Sequence, residues 1–296
     1  MLKGIFFSLF ASMSFAFLYY YTSFLTYLDG NQAFGWRMLM LFPFLTIIIV
    51  LNKELVNIKC IYQKVVEKPY FFLLLILSSF LSGLQLWLFM WAPMNNKALQ
   101  VSLGYFILPF VLILSGYLFF KERVSVLQKI ALVIALFGVL HEIWRIGTIS
   151  WESMVVAIGY ASYFVLRKKI NTDNLGGFWL DVLLMLPIAL YFIHNSNYNL
   201  NNAFSDMTTL YLVIGLGLIS ALALGSYILS SRHLSMIIFG LLGYIEPILL
   251  TFVSLLLGES IKQEEWLTYI PIWIAMSILV LEGIIYLIGT QRKLAI

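Results

Sequence analysis

Arg37, Asp181 and Glu246 each stand inside a long apolar run of this chain. A charge in hydrocarbon is costly, so such residues face a cavity or a partner, and the chemistry open to them is charge recognition, ion pairing or proton coupling. Depth separates the three. At about 1.5 Å per helical residue, Glu246 lies roughly 17 Å into its run, close to the bilayer midplane; Arg37 lies about 9 Å below one edge and Asp181 about 6 Å above the other. Arg37 is therefore expected to reach toward Glu246 as an ion pair or proton-coupling element. Asp181 is a gate candidate, and snorkelling to the nearer headgroups is the alternative for both Arg37 and Asp181. Tyr19, Tyr105, Tyr160, Tyr163 and Tyr244 also lie deep, as does Gln85, and a hydroxyl or amide there needs a partner or a wet cavity. Such groups suit an aromatic cavity for amphiphilic, partly aromatic or zwitterionic solutes; interhelical hydrogen bonding without a substrate is the plainer account of each tyrosine. Glu282, close to the end of the last apolar run, is expected to snorkel.

Other chemistries lack their residues. The sequence contains no HExxH metal helix, GxSxG elbow, P-loop or paired Asp-rich clusters. His141, His194 and His233 sit singly at the ends of apolar runs, so no metal and no cofactor is expected, and neither is enzymatic activity. Cys60 is the only cysteine and can form no internal disulfide.

The elements that position these residues follow from composition. Of 296 residues 62% are hydrophobic and 11% charged, with mean hydropathy +0.95, whereas a soluble domain carries about 25% charged residues. That excludes a soluble enzyme, a disordered chain, a collagen and a coiled coil. The apolar runs are too long and unbroken for the alternating strands of a β-barrel. Dividing the chain where polar residues cluster predicts an all-α membrane protein of ten spans: 4–28, 31–51, 69–93, 98–119, 124–141, 152–167, 177–194, 208–230, 234–257 and 266–288. The stretches 52–68 and 194–207 read as the longest loops. With the N-terminus inside, fourteen of the eighteen Lys and Arg residues fall on the cytoplasmic side, leaving Lys97, Arg145 and Lys262 outside and Arg37 within a span. This asymmetry is what short cytoplasmic loops require. Both termini are then cytoplasmic, the first run is expected to be a retained span, and the net charge of +4 reflects topology rather than nucleic-acid binding.

The halves also resemble each other. Ser8, Ser12 and Ala16 match Ser153, Ala157 and Ala161; Phe34, Arg37 and Pro43 match Phe178, Asp181 and Pro187; Tyr105 and Pro109 match Tyr244 and Pro247. Two five-helix repeats, 1–145 and 146–296, are expected, and because five is odd the second enters the bilayer from the other side. Pro109 and Pro247 each free a backbone carbonyl inside a span and join Asp181 as gate candidates. The stripe Gly217, Ala221 and Gly225 predicts close helix approach.

Trp91-Ala92, the run Ser102-Leu103-Gly104-Tyr105-Phe106 to Pro109, then Gly116, Lys121-Glu122-Arg123 and Gln128, resemble the first repeat of RarD-type proteins of the drug/metabolite transporter superfamily. Tyr160 with Arg167-Lys168, the Asp181 to Pro187 segment, and Gly243-Tyr244-Ile245 before Pro247 resemble the second. The resemblance implies two inverted EamA repeats and export or exchange of small metabolites or drugs by alternating access. Gln85-Leu86, Asp181 and Gly243 depart from the pattern, so the relatives' substrates do not carry over. The resulting expectation is a secondary transporter of a bacterial cytoplasmic membrane that exports or exchanges small amino-acid-like or drug-like solutes, with membrane lipids as partners and protons as a coupling option. An importer or exchanger of a cationic metabolite and a non-transporting scaffold or regulator are the alternatives.

Overall fold

The computed structural model describes residues 2–22, 24–25, 28–95, 97–147, 150–195, 207–256, 263–275, 277–278 and 281–282. Among these, every regular element is helical. Lys262, expected on the outer side, and two of the fourteen basic residues expected on the cytoplasmic side, Arg292 and Lys293, lie outside the described residues.

Helix α1 (Leu2–Thr22) precedes α2 (Gly30–Leu51), whose start is set by a capping box in which Asp29 accepts from Asn31 and Gln32 while Gln32 bonds back to the Asp29 N–H. After α3 (Leu55–Glu67) come α4 (Tyr70–Met94), α5 (Ala98–Phe120) and α6 (Val126–Ile146). A Ser125–Gln128 capping box opens α6, and Gly147, left-handed at φ 81°, ends it. A short α7 (Trp151–Met154) runs through a π-helical turn (Val155–Tyr160) into α8 (Ala161–Lys169) as one continuous rod. Then follow α9 (Leu175–His194), α10 (Met207–His233), α11 (Met236–Leu242) and α12 (Ile245–Leu256), and residues 266–275 are helical after a 3-10 turn.

Among the described residues six helices are long and apolar enough to cross a membrane: those beginning at Leu2, Gly30, Tyr70, Val126, Leu175 and Met207. Two expectations need correction. The stretch 52–68 is not a loop, because 55–67 is helical with Ile61 packed inward. The span expected over 234–257 is broken at Gly243-Tyr244. Pro247 has no N–H to offer the carbonyl four residues earlier and its ring clashes there, so one helix closes at Leu242 and a second starts just before the proline.

Helix α10 packs on α1 and α2; α9 packs on α2 and α4; the α7–π–α8 rod lies against α4 and α5; α5 also contacts α11, and α1 contacts α12. Close approach depends on small residues in the expected stripe. A Cβ on Gly217 would lie 2.3 Å from Met40 Cβ and 2.5 Å from its carbonyl carbon, so α10 meets the α2 backbone there.

Candidate functional site

The helices converge on a narrow cavity. Arg37 from α2, Gln85 and Phe89 from α4, Tyr105 from α5, Tyr160 from the π turn and Glu246 from α12 line it. Phe15 of α1, Leu86 of α4, and Leu224 and Tyr227 of α10 complete the wall. The space is on the order of one water molecule, so a solute enters only when the helices part.

Polar capacity is left over inside this wall. Arg37 is 1% exposed; its Nε donates to Ser220 Oγ at 2.9 Å and its guanidinium stands 5.3 Å from the Phe89 ring centre. Its Nη1 is buried without a hydrogen-bond partner among the described residues. Gln85 Nε2 donates to the Tyr105 hydroxyl at 2.9 Å, while Gln85 Oε1 is buried and unmatched. An unmatched buried donor or acceptor costs about 1–3 kcal/mol, and a bound solute that met both would recover that cost. Glu246 is buried in the first turn of α12, where the helix N-terminus favours negative charge. Arg37 and Glu246 therefore face one cavity, although among the described residues no carboxylate comes within the 4.0 Å ion-pair distance of Arg37. The rest of the wall is aromatic: Phe15 meets Tyr227 edge-on at 5.7 Å, and Tyr160 stacks with Tyr227 at 6.2 Å.

Asp181 belongs to a separate, adjoining cluster. It is fully buried, accepts from Ser78 Oγ at 2.9 Å and Tyr163 Oη at 3.1 Å, and pairs with Arg167 Nη2 at 3.5 Å. Asp181 is thus enclosed by protein side chains, against the snorkelling alternative, and Arg167, the last residue of the expected span 152–167, is 1% exposed. Gly177 makes room for it, since a Cβ there would lie 2.3 Å from Arg167 Nη2. Tyr163 thus serves Asp181 rather than the cavity, but its ring stacks on Tyr160 at 5.8 Å and joins the two sites.

The remaining candidates sit elsewhere. Tyr19 is half-buried on α1 and does not line the cavity. Tyr244 is fully buried at the break between α11 and α12, edge-on to Phe110 at 6.0 Å. Pro109 faces α11, its carbonyl 3.1 Å from where a Gly240 Cβ would stand, and Pro247 lies one residue after Glu246. At one end of the bundle Glu122 accepts from the Met236 and Ile237 N–H groups at 2.8 Å each and pairs with Lys168 at 3.6 Å. At the other end His141 is not isolated: Thr268 donates to Glu142 at 2.8 Å and meets His141 Nδ1 at 2.9 Å, so Nδ1 carries the proton in that arrangement. Glu282 lies 3.4 Å from Gln128 Nε2, which donates to it. Among the described residues no group of three or more His, Cys, Asp or Glu side chains is placed to hold a metal ion.

Sequence reasoning passed over Tyr227, Ser220, Ser78, Phe15 and Phe89. Tyr227 carried the same depth signal as the other tyrosines. The serines had a subtler one, since Ser78 and Ser220 are separated by nearly the same interval as Arg37 and Asp181, the residues they bind.

The profile of the EamA-like transporter family matches residues 2–141. The chain is 38% identical over 284 residues to an uncharacterized transporter of Haemophilus influenzae, covering 96% of this chain and 95% of that protein. It is 39% identical over 279 residues to the chloramphenicol-sensitive protein RarD of Pseudomonas aeruginosa, covering 93% and 92%. To the protein RarD of Escherichia coli it is 27% identical over 277 residues, covering 92% and 90%. The all-helical bundle, its apolar spans and these end-to-end similarities establish that the chain belongs to the EamA-like transporters, in the RarD-type branch of the drug/metabolite transporter superfamily.

Proposed function

We propose that the protein is a secondary active transporter of the bacterial cytoplasmic membrane that exports or exchanges small amphiphilic metabolites, amino-acid-like or drug-like, by alternating access. The observation that carries this reading is a cavity between spanning helices with a buried guanidinium and a buried carboxylate on one aromatic wall. Arg37 would take the carboxylate of a zwitterion or the acceptor edge of a drug, and Glu246 its ammonium or a proton. Tyr105, Tyr160 and Tyr227 would supply stacking faces.

Two inverted five-helix repeats, 1–145 and 146–296, with ten spans and both termini cytoplasmic, are the architecture we assign. Exchange of α1 with the α7–π–α8 rod, α2 with α9, α4 with α10 and α5 with α11–α12 turns each main packing pair into an observed pair, α2–α9 and α5–α11 into themselves. The α1–α10 contact becomes α4 with the rod, α2–α10 becomes α4–α9, and α1–α12 becomes α5 with the π turn. The Arg37–Ser220 bond likewise becomes Asp181–Ser78. Such symmetry supports rocking of one repeat against the other around a central site. The basic residues gathered at one end support the orientation.

Counterflow in proteoliposomes across a panel of amino acids, amphiphilic drugs and organic cations, with and without a proton gradient, tests the function. Exchange of a zwitterionic or drug-like solute is expected, and transport of nothing on the panel would overturn the reading. Glu246 in an aromatic-walled cavity favours one second reading, exchange or import of a cationic metabolite, which the same panel separates by substrate charge.

A further inference from the structure

Helix α3, between the two spanning helices α2 and α4, straps the ends of helices from the other half of the chain. Glu54, just before it, pairs with Arg232 near the end of α10 at 3.1 Å. Asn57 and Ile58 lie 3.0 and 3.1 Å from where a Cβ on Gly176 would stand, so α3 rests on the first turn of α9. Lys64 Nζ donates to the Ile170 and Asn171 carbonyls at 3.1 and 3.4 Å, just beyond α8. Ile61, 2% exposed, packs with Phe71 and Leu75 beside Leu180 and Leu184.

Beyond these contacts α3 is exposed, with Gln63 and Glu67 on the side away from Ile61, and one flank of that exposed surface is apolar. Leu55, Tyr62 and Val66, exposed by 45, 68 and 63%, recur at i, i+7 and i+11 and form one stripe, with Lys59 in the same row. That stripe continues the outward apolar surface of its neighbours, Leu51 at the end of α2 and Tyr70 and Leu73 at the start of α4, exposed by 74, 60 and 66%. Lys53 and Lys68 flank it and are exposed. We propose that α3 is an interfacial helix docked on anionic phospholipid: Leu55, Tyr62 and Val66 enter the headgroup–acyl boundary while Lys53, Lys59 and Lys68 contact anionic headgroups. An apolar stripe edged by lysines is the pattern that binds such surfaces. Lys59 runs its methylene stem along the apolar row and delivers its ammonium to the headgroups. Lipid, rather than a soluble protein, is the occupant because the stripe is continuous with the surface of the spanning helices and bordered by cations. One face of α3 thus reads the lipid while the other holds the ends of α8, α9 and α10.

The proposal rests on the membrane-spanning assignment but on no substrate, so its test is independent of transport. Full-length protein is placed in vesicles, with Cys60→Ser as background and single spin-labelled cysteines at Leu55→Cys, Tyr62→Cys, Val66→Cys, Gln63→Cys and Glu67→Cys. Collision with oxygen is expected to exceed collision with a water-soluble nickel chelate at the first three positions, and the reverse at Gln63→Cys and Glu67→Cys. A fluorophore on native Cys60, the exposed sole cysteine, reads headgroup-quencher lipids. Labelled phosphatidylglycerol should quench more than labelled phosphatidylcholine, and Lys59→Glu with Lys68→Glu should lower that excess on the order of five-fold per lysine. Unfolding midpoints check that these variants stay folded. Nickel access at Tyr62→Cys and Val66→Cys equal to that at Gln63→Cys would overturn the docking. So would shielding of the stripe from both reagents, which would mean that protein covers it. Equal quenching by the two lipids would overturn the anionic preference.

Discussion

Asp181→Asn isolates one charge buried inside the bundle. The carboxylate is fully buried, its oxygens taking Ser78, Tyr163 and Arg167 at 2.9, 3.1 and 3.5 Å, and Arg167 is itself 1% exposed. Asparagine keeps an acceptor for the hydroxyls and nearly the same volume, so the change removes the charge that balances Arg167. Removing one partner of a buried pair costs about 3–5 kcal/mol, whereas replacing both with apolar residues is often neutral or better. At roughly 2 °C per kcal/mol for a chain of this size, the unfolding midpoint should fall by about 6–10 °C. Arg167→Met with Asp181→Leu should recover most of that loss. Thermal unfolding in detergent, followed by tryptophan fluorescence at low and high salt, reads both, and salt should change the loss little because a buried pair is poorly screened. A midpoint for Asp181→Asn within about 2 °C of the parent would show that the carboxyl is already neutral and the pair not ionic. A double variant less stable than the single would refute the buried-charge argument itself.

Gly217→Ala, which sets a methyl against the Met40 backbone, should cost about 1–3 kcal/mol, while Gly225→Ala, whose Cβ would be 3.8 Å from Leu175, should be tolerated; equal midpoints would refute the close contact. Arg37→Gln should lower counterflow of carboxylate-bearing solutes by about ten-fold or more, one charge-assisted contact being worth about 1.5–3 kcal/mol. An equal loss for solutes without a carboxylate would remove Arg37 from recognition. Burial holds the Asp173 carboxyl above its ordinary value of 3.8, despite Lys168, Arg232 and Arg167 nearby. A raised native pKa contributes stability that is complete below that ordinary value and is lost as pH rises through the native one. Asp173→Asn should therefore match the parent in acid and become the more stable protein as pH climbs through the carboxylate range; a gap independent of pH would refute this.

Depth along the chain is a one-dimensional quantity, and a polar residue in an apolar run announces itself. Arg37, Gln85, Tyr105, Tyr160 and Glu246 could be singled out that way, and all five line the cavity. Rotation about the helix axis is not visible in the same signal. Tyr160 and Tyr163 are only three residues apart, but the first lines the cavity and the second binds Asp181. Arg167 was hidden by its neighbours, since Arg167-Lys168-Lys169 reads as a solvated basic run until Gly177 is seen to open a slot beside it. Helix α3 escaped because dividing a sequence by apolar clusters finds spans, and a short helix with lysines on both faces looks like a loop. The break in the span 234–257 was latent in Pro247, whose effect falls four residues upstream at Gly243.

Helix α11 has only seven residues, too few to stand alone, and it is held along its length. Glu122 grips its first N–H groups. On one flank a Cβ on Gly240 would be 2.9 Å from Leu112 Cβ and 3.1 Å from the Pro109 carbonyl, leaving no gap to α5. At Gly243-Tyr244 the bonding tightens from i−4 to i−3, the Gly243 N–H reaching the Phe239 and Gly240 carbonyls at 3.1 Å each and the Tyr244 N–H reaching Leu241 at 3.3 Å, before α12 begins. In the rocking proposed above, a swing of α5 would carry α11 with it, and the displacement would reach this turn, two residues from Glu246. Movement at the bundle's end would then be felt by the cavity's carboxylate through a single turn of chain.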